Sequence, residues 1–351
     1  MSQTARRALI WSTISVAVVV LSLALWKIKL LLALLFFAFI IAAAMRPGID
    51  YLHDRARIPR VVGVLLHYAA LVVAVGLLLY FVVPTAKDQV AAAIPTSRSQ
   101  LDREAKQSTG IKHDILVGIQ KRIKNLPSFG DIAGSAVDIG LRAFEIAIGI
   151  FFVFASAAYW IFERDRAERV VLSLLPRPRR KVVRDTWNLI DLKLGAFVRG
   201  QLVLVVFVAT VLSFAFWLIG LNFWLLVGIF AGLVELIPVV GPLAAGAVAV
   251  GVGLTDSWQT ALAAGLIVLG VRLLEDYVVI PKVLGGAVGL TPLTVLFSVA
   301  AVTFIFGGFA VILAIPFVAV FATIIDVLVF EKDPAEEDVP TVLFPAKEAE
   351  T

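Results

Sequence analysis

Four ionisable residues interrupt long apolar stretches of this sequence, and their types and spacing suit ion or proton coupling. Glu235 precedes Pro238 by three residues and has no charged partner in its own apolar stretch. Arg272, Glu275 and Asp276 are spaced so that all three share one face of a helix. Ionisable groups in such segments are costly, and each is therefore a candidate for function. We expect Glu235 to couple proton or cation movement, whereas Arg272 is equally well explained as a neutralising partner of its two helical neighbours.

A proline-rich turn follows Glu235 and should break the helix that carries it. Pro238 and Pro242 have no amide hydrogen, and Gly241 permits unusual backbone angles, so carbonyl groups are released from helical bonding. Such backbone is tolerated at membrane depth only inside protein or beside a water-filled cavity. A second stretch, 291–330, is also interrupted by Gly and Pro, and two such segments are typical of a transporter's binding site. The predicted pathway residues are Glu235, Pro238, Gly241, Pro242, Arg272, Glu275, Asp276, Pro281, Pro292, Gly307 and Pro316.

Composition restricts the class of protein. Of 351 residues, 60% are apolar and 16% are charged, against about 45–50% and about 25% in soluble proteins, so part of the chain must face lipid. The absence of cysteine excludes disulfides, iron–sulfur clusters and thiolate zinc sites, and three histidines disfavour a multi-histidine metal site. No P-loop, H-E-x-x-H or G-x-S-x-G motif is present. We therefore expect no enzyme activity, no catalytic residues, no metal and no cofactor.

Apolar runs predict an all-α, polytopic membrane protein with six full spans and two broken or re-entrant hairpins. The predicted spans are 9–26, 30–45, 61–83, 141–162, 197–219 and 258–280, and the hairpins are 221–254 and 291–330. Pro47, Pro84 and Pro281 are expected to end the second, third and sixth spans. The predicted organisation is 1–83 for the N-terminal spans, 84–139 for an amphipathic helical insert outside the membrane, 140–330 for the core, and 331–351 for an acidic, disordered tail.

Basic residues predict the orientation of the chain. Arg6 and Arg7 precede the first span, and a strongly basic cluster follows the fourth. This cluster comprises Arg164, Arg166, Arg169, Arg177, Arg179, Arg180, Lys181 and Arg184. Because positive charge next to a span favours the cytoplasmic side, both segments should be cytoplasmic. Each hairpin returns to the side on which it began, so the C-terminus is also expected inside. Such a cluster indicates membrane topology, and no nucleic-acid partner is expected.

Four short motifs, in order along the chain, resemble those of one known family. They are Phe197-Val198-Arg199-Gly200-Gln201, then Glu235-Leu236-Ile237-Pro238-Val239-Val240-Gly241-Pro242, then Pro281-Lys282-Val283-Leu284-Gly285 with Val288-Gly289-Leu290-Thr291-Pro292-Leu293, and Phe306-Gly307 before Ala314-Ile315-Pro316. The second resembles the I-P-x-x-G-P element of AI-2E family transporters, which are autoinducer-2 exporter-like permeases. The resemblance covers roughly 151–330. Thr291 stands where many members have histidine, and Ala310 replaces a glycine of the later hairpin.

The resemblance implies a multi-pass protein of the bacterial inner membrane that exports a small hydrophilic solute, as a homo-oligomer in contact with membrane lipid. Some relatives instead exchange sodium or lithium for protons. We therefore expect a secondary transporter for a small hydrophilic solute, with H⁺ or Na⁺ as possible coupling ions. Two alternatives remain open from the sequence. One is a monovalent cation/proton antiporter, and the other is a non-transporting membrane scaffold or regulator that acts through the insert or the basic loop.

Overall fold

A computed structural model describes residues 3–93, 129–283, 291–337 and 339, and these residues form helices and turns without any strand. The α-helices are α1 (Gln3–Lys27), α2 (Lys29–Ala56), α3 (Arg60–Ala93), α4 (Phe129–Ser173), α5 (Arg180–Leu218), α6 (Trp224–Val234), α7 (Val240–Leu254), α8 (Trp258–Leu274), α9 (Pro292–Phe306) and α10 (Ala314–Leu328). A π-helical turn (Glu275–Val279) and one further helical turn (Ile280–Val283) continue α8, and a 3₁₀ segment (Gly308–Leu313) precedes α10.

Six helical segments are long and apolar enough to cross a membrane, which confirms the predicted all-α polytopic class. They are Ile10–Lys27, Lys29–Ala56, Arg60–Gln89, Phe144–Ser173, Arg177–Leu218 and Gly308–Leu328. Five of them overlap predicted spans. The sixth is the second arm of the predicted second hairpin, whereas the predicted span 258–280 is a 17-residue helix followed by the π-helical turn. In the first hairpin, α6 and α7 have 11 and 15 residues, about 16 and 22 Å, and are shorter than the hydrocarbon layer.

Two of the three helix ends predicted at prolines, those at Pro47 and Pro84, are wrong because the proline lies well inside a long helix. Pro47 lies within α2, where a guanidinium nitrogen of Arg199 on α5 donates to the Ala44 carbonyl at 3.2 Å. A Cβ atom at Gly195 would lie only 2.5 Å from the Ala43 carbonyl oxygen, so α5 reaches the proline region closely. The Arg199 guanidinium and the close approach at Gly195 hold α5 against this part of α2. Pro84 lies within α3, which continues to Ala93.

The two ends of the predicted insert are helical. Helix α3 enters the insert from one side and α4 begins in it at Phe129, while the predicted amphipathic helix over 111–124 lies outside the described residues. The acidic tail is described only to residue 337 and at 339, so its predicted disorder beyond that point also lies outside the described part of the chain.

The helices pack into three apolar clusters, of which two include α5 and two include α2. The second half of α5 packs with the first hairpin and α8 through Val208, Leu212, Phe216, Leu221, Val227, Ala231, Ala245, Ala249 and Ala264. The first half of α5 packs with α2 and the second hairpin through Ala33, Ile40, Ala43, Leu194, Val302, Ala310, Leu313 and Ala314. Helix α2 also packs with α3 and α4. Both hairpins therefore contact α5, at different parts of its length.

Small residues bring the helices of the first hairpin close together. Gly228 and Gly232 lie four residues apart on α6, facing α5, and a Cβ at Gly228 would overlap the Ser213 side chain. Gly253 on α7 likewise packs against the backbone of Ala261 on α8. Glycines at this spacing are typical of close helix pairs in membranes. Because α5, α6, α7 and α8 approach closely, the turn after α6 is held against its neighbours.

Candidate functional site

The turn between α6 and α7 contains a strained residue. Val239 has φ +66° and ψ −47°, and the Val240 amide donates to the Pro238 carbonyl at 2.7 Å. This geometry is the γ-turn with positive φ, which is rare and strained. A β-branched residue in this region of φ is an outlier, and such outliers cluster at functional sites. The break predicted from the two prolines is therefore present, and its strain is concentrated at Val239.

Gly241 has a different role from the one predicted for it. Its φ is not positive, so the expectation of unusual backbone angles at Gly241 is wrong. A Cβ atom there would overlap the Val234 carbonyl oxygen and would lie 3.1 Å from the Glu235 Cα. The Gly241 amide donates to the Ile237 carbonyl at 2.8 Å. Gly241 is thus needed because the start of α7 passes close to the end of α6.

Glu235 is the first residue after α6, and α5 fixes its backbone. Its carbonyl oxygen accepts a hydrogen bond of 2.9 Å from Nε2 of Gln201 on α5. Carbonyls at a helix C-terminus lack helical partners, and a side-chain donor replaces them here. The Glu235 side chain is 9% exposed. The sequence indicated Gln201 only as part of a motif, and its contact with Glu235 was not predicted. An amide side chain within an apolar stretch is a signal that could have identified it.

One arginine connects this turn to α8. Nη1 of Arg272 lies 3.1 Å from Oε1 of Glu235 and 3.3 Å from Oε2 of Glu275, and Nη2 lies 2.8 Å from Oδ1 of Asp276. The shared helix face predicted for Arg272, Glu275 and Asp276 is confirmed by the two contacts within the helix. Glu235, which has no partner nearby in the sequence, joins the same group from 37 residues away. We call these four residues the Arg272 cluster.

The helix that carries this cluster changes its hydrogen-bond pattern there. Glu275 and Asp276 begin the π-helical turn, and the Ile280 amide bonds to the Glu275 carbonyl five residues back. Single π-turns within α-helices occur frequently at functional sites. The predicted helix end at Pro281 is wrong, because helical backbone continues to Val283. The π-turn directly precedes the helical turn that contains Pro281.

The Arg272 cluster contains more negative than positive charge. Three carboxylates share one guanidinium, so that the group carries a formal charge of −2 when every member is ionised. Glu275 is 2% exposed and its Oε1 has no hydrogen-bond partner among the described residues, whereas Arg272 and Asp276 are 32% and 40% exposed. Across the described part of the chain, no group of three or more acidic or histidine side chains has the geometry of a metal site.

The predicted residues of the second hairpin lie away from this cluster. Pro292 is the first residue of α9, Gly307 ends α9 with φ +96°, and Pro316 is buried in the first turn of α10. The second hairpin packs on α2 and on the first half of α5. The structure therefore brings together Glu235, Arg272, Glu275 and Asp276 beside the turn 238–242. Pro281 lies just after the π-turn, and Pro292, Gly307 and Pro316 belong to the second hairpin, which is a separate packing unit.

Sequence reasoning missed a second charged group, which lies where α2, α4 and α5 meet. Nε of Arg164 on α4 donates to Oδ2 of Asp191 on α5 at 2.6 Å, and Nη1 of Arg164 lies 2.9 Å from Oε2 of Glu168. Arg46 on α2 reaches Asp191 at 3.4 Å and Asp165 at 3.6 Å. Arg164 and Asp191 are 5% and 8% exposed.

This group, which we call the Arg164 network, extends further along the ends of the helices. Arg60 on α3 lies 3.4 Å from Asp50, and Arg184 lies 3.2 Å from Glu168. A cavity about the size of one water molecule is lined by Arg46, Arg164 and Asp191 together with apolar side chains. In the sequence, Arg164 and Arg184 belong to the basic cluster that sets orientation, whereas Arg46 and Arg60 lie outside it. Their ion pairs join residues up to 145 positions apart, which spacing alone does not reveal.

Comparison with known proteins shows the family to which this sequence is similar. A family model described as "AI-2E family transporter" matches residues 14–330. YrrI of Bacillus subtilis (strain 168), whose name describes it as a candidate transport protein, is 25% identical over 305 residues, covering 84% of this chain and 85% of YrrI. YueF of the same organism, named in the same way, is 29% identical over 209 residues, covering 58% of this chain and 57% of YueF. The family match extends into the N-terminal spans, where sequence reasoning found agreement only in hydropathy.

Proposed function

Because this chain belongs to the AI-2E family of transporters, we propose that it is a secondary transporter that exports a small hydrophilic solute across the bacterial inner membrane. The observation that carries this proposal is the contact between Glu235 and Arg272. It joins two irregular backbone segments, the γ-turn after α6 and the π-turn after α8. Broken helices with ionisable groups are the usual elements of substrate and ion sites in transporters.

Glu235 is proposed as the coupling carboxylate. When it binds a proton or a cation, its attraction for Arg272 is lost and the guanidinium is retained by Glu275 and Asp276 alone. The turn after α6 is then linked to α8 less strongly, while Gln201 still holds its backbone to α5. Arg272, Glu275 and Asp276 would thereby orient or gate the site, and Pro238, Gly241 and Pro242 would shape the turn.

The pathway is proposed to run beside α5, with one hairpin on each part of that helix. Support comes from the packing of the first hairpin on the second half of α5 and of the second hairpin on its first half. In this arrangement Pro281 lies beyond the π-turn. Pro292, Gly307 and Pro316 shape the side of the pathway that the second hairpin forms. Positive φ at Gly307 supports a fixed bend between α9 and the segment that leads into α10.

Monovalent cation/proton antiport is a second candidate, and the charge of the Arg272 cluster favours it. Three carboxylates around one arginine leave excess negative charge, to which Na⁺ or Li⁺ would be attracted when the arginine moves away. The same carboxylates would carry protons in the other direction. In this mechanism the ions are the substrates and no organic solute is required.

The proposed orientation places both termini in the cytoplasm. The Arg164 network gathers the ends of α2, α4 and α5 and the start of α3 at one end of the bundle, together with the basic segment 164–184. The positive-inside rule assigns that end to the cytoplasm. Homo-oligomerisation is proposed from the family resemblance.

A reconstituted system tests this proposal directly. Purified protein is placed in liposomes loaded with a mixture of sugars, polyols, amino acids and organic acids, and a proton or sodium gradient is imposed. Gradient-dependent efflux of one component, detected by mass spectrometry, is the expected result. Proton movement evoked by Na⁺ or Li⁺ without any organic solute, reported by the dye pyranine, would instead identify the antiporter. If neither signal exceeds that of protein-free liposomes, the proposal is wrong.

A further inference from the structure

A buried lysine lies between α5 and α10. Lys193 on α5 is 9% exposed, and its Nζ donates to Oγ1 of Thr323 on α10 at 3.2 Å. The Thr323 hydroxyl itself donates to the Ala319 carbonyl at 2.8 Å. Nζ of Lys193 also lies 2.5 Å from Oε1 of Glu337, which is 37% exposed. Among the described residues, Glu337 supplies the carboxylate within 4 Å of this ammonium group.

The chain after α10 is fastened to the bundle at three points. Lys332 pairs with Asp326 at 3.0 Å, Pro334 is buried, and Glu337 pairs with Lys193. Between these points, Asp333 Oδ1 accepts a hydrogen bond of 2.9 Å from the Ala335 amide. Residues 331–337 therefore cross from the end of α10 to α5 along a defined path.

We propose that residues 331–337 form a strap that holds the α10 arm of the second hairpin against α5, and that loss of the contact between Glu337 and Lys193 releases this arm. The physical reason is charge compensation. A buried ammonium without a partner is strongly unfavourable, whereas a neutral apolar side chain in its place is tolerated. Without Glu337, Lys193 must reach water, and it does so by separating α10 from α5. Because Glu337 is partly exposed, salt weakens the contact and promotes release. An effect of this release on transport would rest on the proposed function. The existence of the strap is independent of that function.

Thiol labelling of the full chain tests the strap. The chain has no cysteine, so Ala319→Cys on α10, where alanine is 7% exposed, provides a single buried thiol. In detergent-solubilised protein this thiol should react slowly with a maleimide. Addition of Glu337→Gln should increase the labelling rate about tenfold or more, because Lys193 loses its charged partner. The neighbouring substitution Glu336→Gln serves as the matched control and should leave the rate unchanged.

The double substitution Lys193→Met with Glu337→Gln separates this explanation from general loosening. Methionine fills the site without a charge, so slow labelling should return even though the tail contact is absent. Higher salt should increase labelling of the Ala319→Cys protein but not of this neutralised pair. Equal labelling rates for Glu337→Gln and Glu336→Gln would overturn the strap, as would rapid labelling that persists in the double variant. Neither outcome bears on solute or ion flux, so the strap and the proposed function can fail separately.

Discussion

Nη1 of Arg272 lies 3.1 Å from Oε1 of Glu235, and this contact joins α8 to the turn that ends α6. Both residues belong to otherwise apolar segments, and each lies beside a break in regular helix. The same guanidinium contacts Glu275 and Asp276, so Glu235 competes with two carboxylates for one positive charge. A proton or cation on Glu235 would shift that competition. In the proposed mechanism, this relationship would couple ion binding at Glu235 to movement of the turn.

Glu235 and Arg272 should show coupled effects on stability. Arg272→Gln leaves buried carboxylates without a charged partner and should lower the free energy of unfolding by roughly 2 kcal/mol or more, since broken buried ion pairs are costly. Glu235→Gln should be milder, because Arg272 keeps its two helical partners. In a double-mutant cycle the coupling energy should be about 1–3 kcal/mol. The measurement is chemical unfolding of the four proteins in detergent, and strictly additive effects would exclude the interaction.

Gly241 should tolerate no side chain. Gly241→Ala places a Cβ against the Val234 carbonyl oxygen and should destabilise the protein by about 1–3 kcal/mol, the usual range for overpacking. Gly251 on the same helix has open space around its Cα, so Gly251→Ala should be neutral or stabilising by up to about 1 kcal/mol. Melting temperatures of the two variants and the parent provide the test. Equal melting temperatures for both alanine variants would show that α7 does not approach α6 as described.

Much of the fold could be predicted from the sequence, because span length and hydropathy depend on local composition. Five spans and the first hairpin follow from apolar runs alone. The ends predicted at Pro47 and Pro84 are wrong because α2 and α3 continue through these prolines. A proline inside a helix removes one backbone hydrogen bond but does not always end the helix, and the close packing of α5 on α2 beside Pro47 is a tertiary contact that local sequence does not specify. The helix end predicted at Pro281 is also wrong, because helical backbone continues through the π-turn to Val283.

The candidate site could be predicted in part. Polarity within apolar stretches identified Glu235, Arg272, Glu275 and Asp276, and helical spacing placed the last three together. The contact to Glu235 joins residues 37 positions apart, which no local pattern specifies. Asp191 and Arg164 were missed for the same reason. In the sequence, Arg164 is one of several arginines in a basic segment and Asp191 is a nearby acidic residue. Only the packing of α4 against α5 brings their side chains into contact.

The Arg164 network should be a main source of stability at its end of the bundle. Arg164 is buried and contacts Asp191 and Glu168, so Arg164→Gln should destabilise the protein by about 3–5 kcal/mol, as expected when a buried charge loses its partner. Arg166 on the same helix is 73% exposed, and Arg166→Gln should change stability by less than about 1 kcal/mol. Unfolding of both variants in denaturant distinguishes the two sites. Similar losses would mean that the network contributes no more than a surface pair.

Gln201 should position the turn that carries Glu235. Gln201→Ala removes the donor to the Glu235 carbonyl and should cost about 1–3 kcal/mol, the range for a buried acceptor left without its partner. Gln259 at the exposed start of α8 is the matched control, and Gln259→Ala should have little effect. Thermal unfolding measures the first effect, and gradient-dependent flux should fall in the Gln201 variant alone. Unchanged flux and stability in Gln201→Ala would remove this residue from the site.

The most direct test of the central claim is flux through proteoliposomes that contain the Glu235→Gln variant. Under an imposed proton or sodium gradient, the parent should show gradient-dependent movement of solute or cation. Glu235→Gln should lose that dependence, because an uncharged amide cannot take up a proton or attract a cation as a carboxylate does. Glu163→Gln, at an exposed position of α4 just beyond the predicted fourth span, should behave as the parent does. Undiminished, gradient-dependent flux in a folded Glu235→Gln protein would contradict the account.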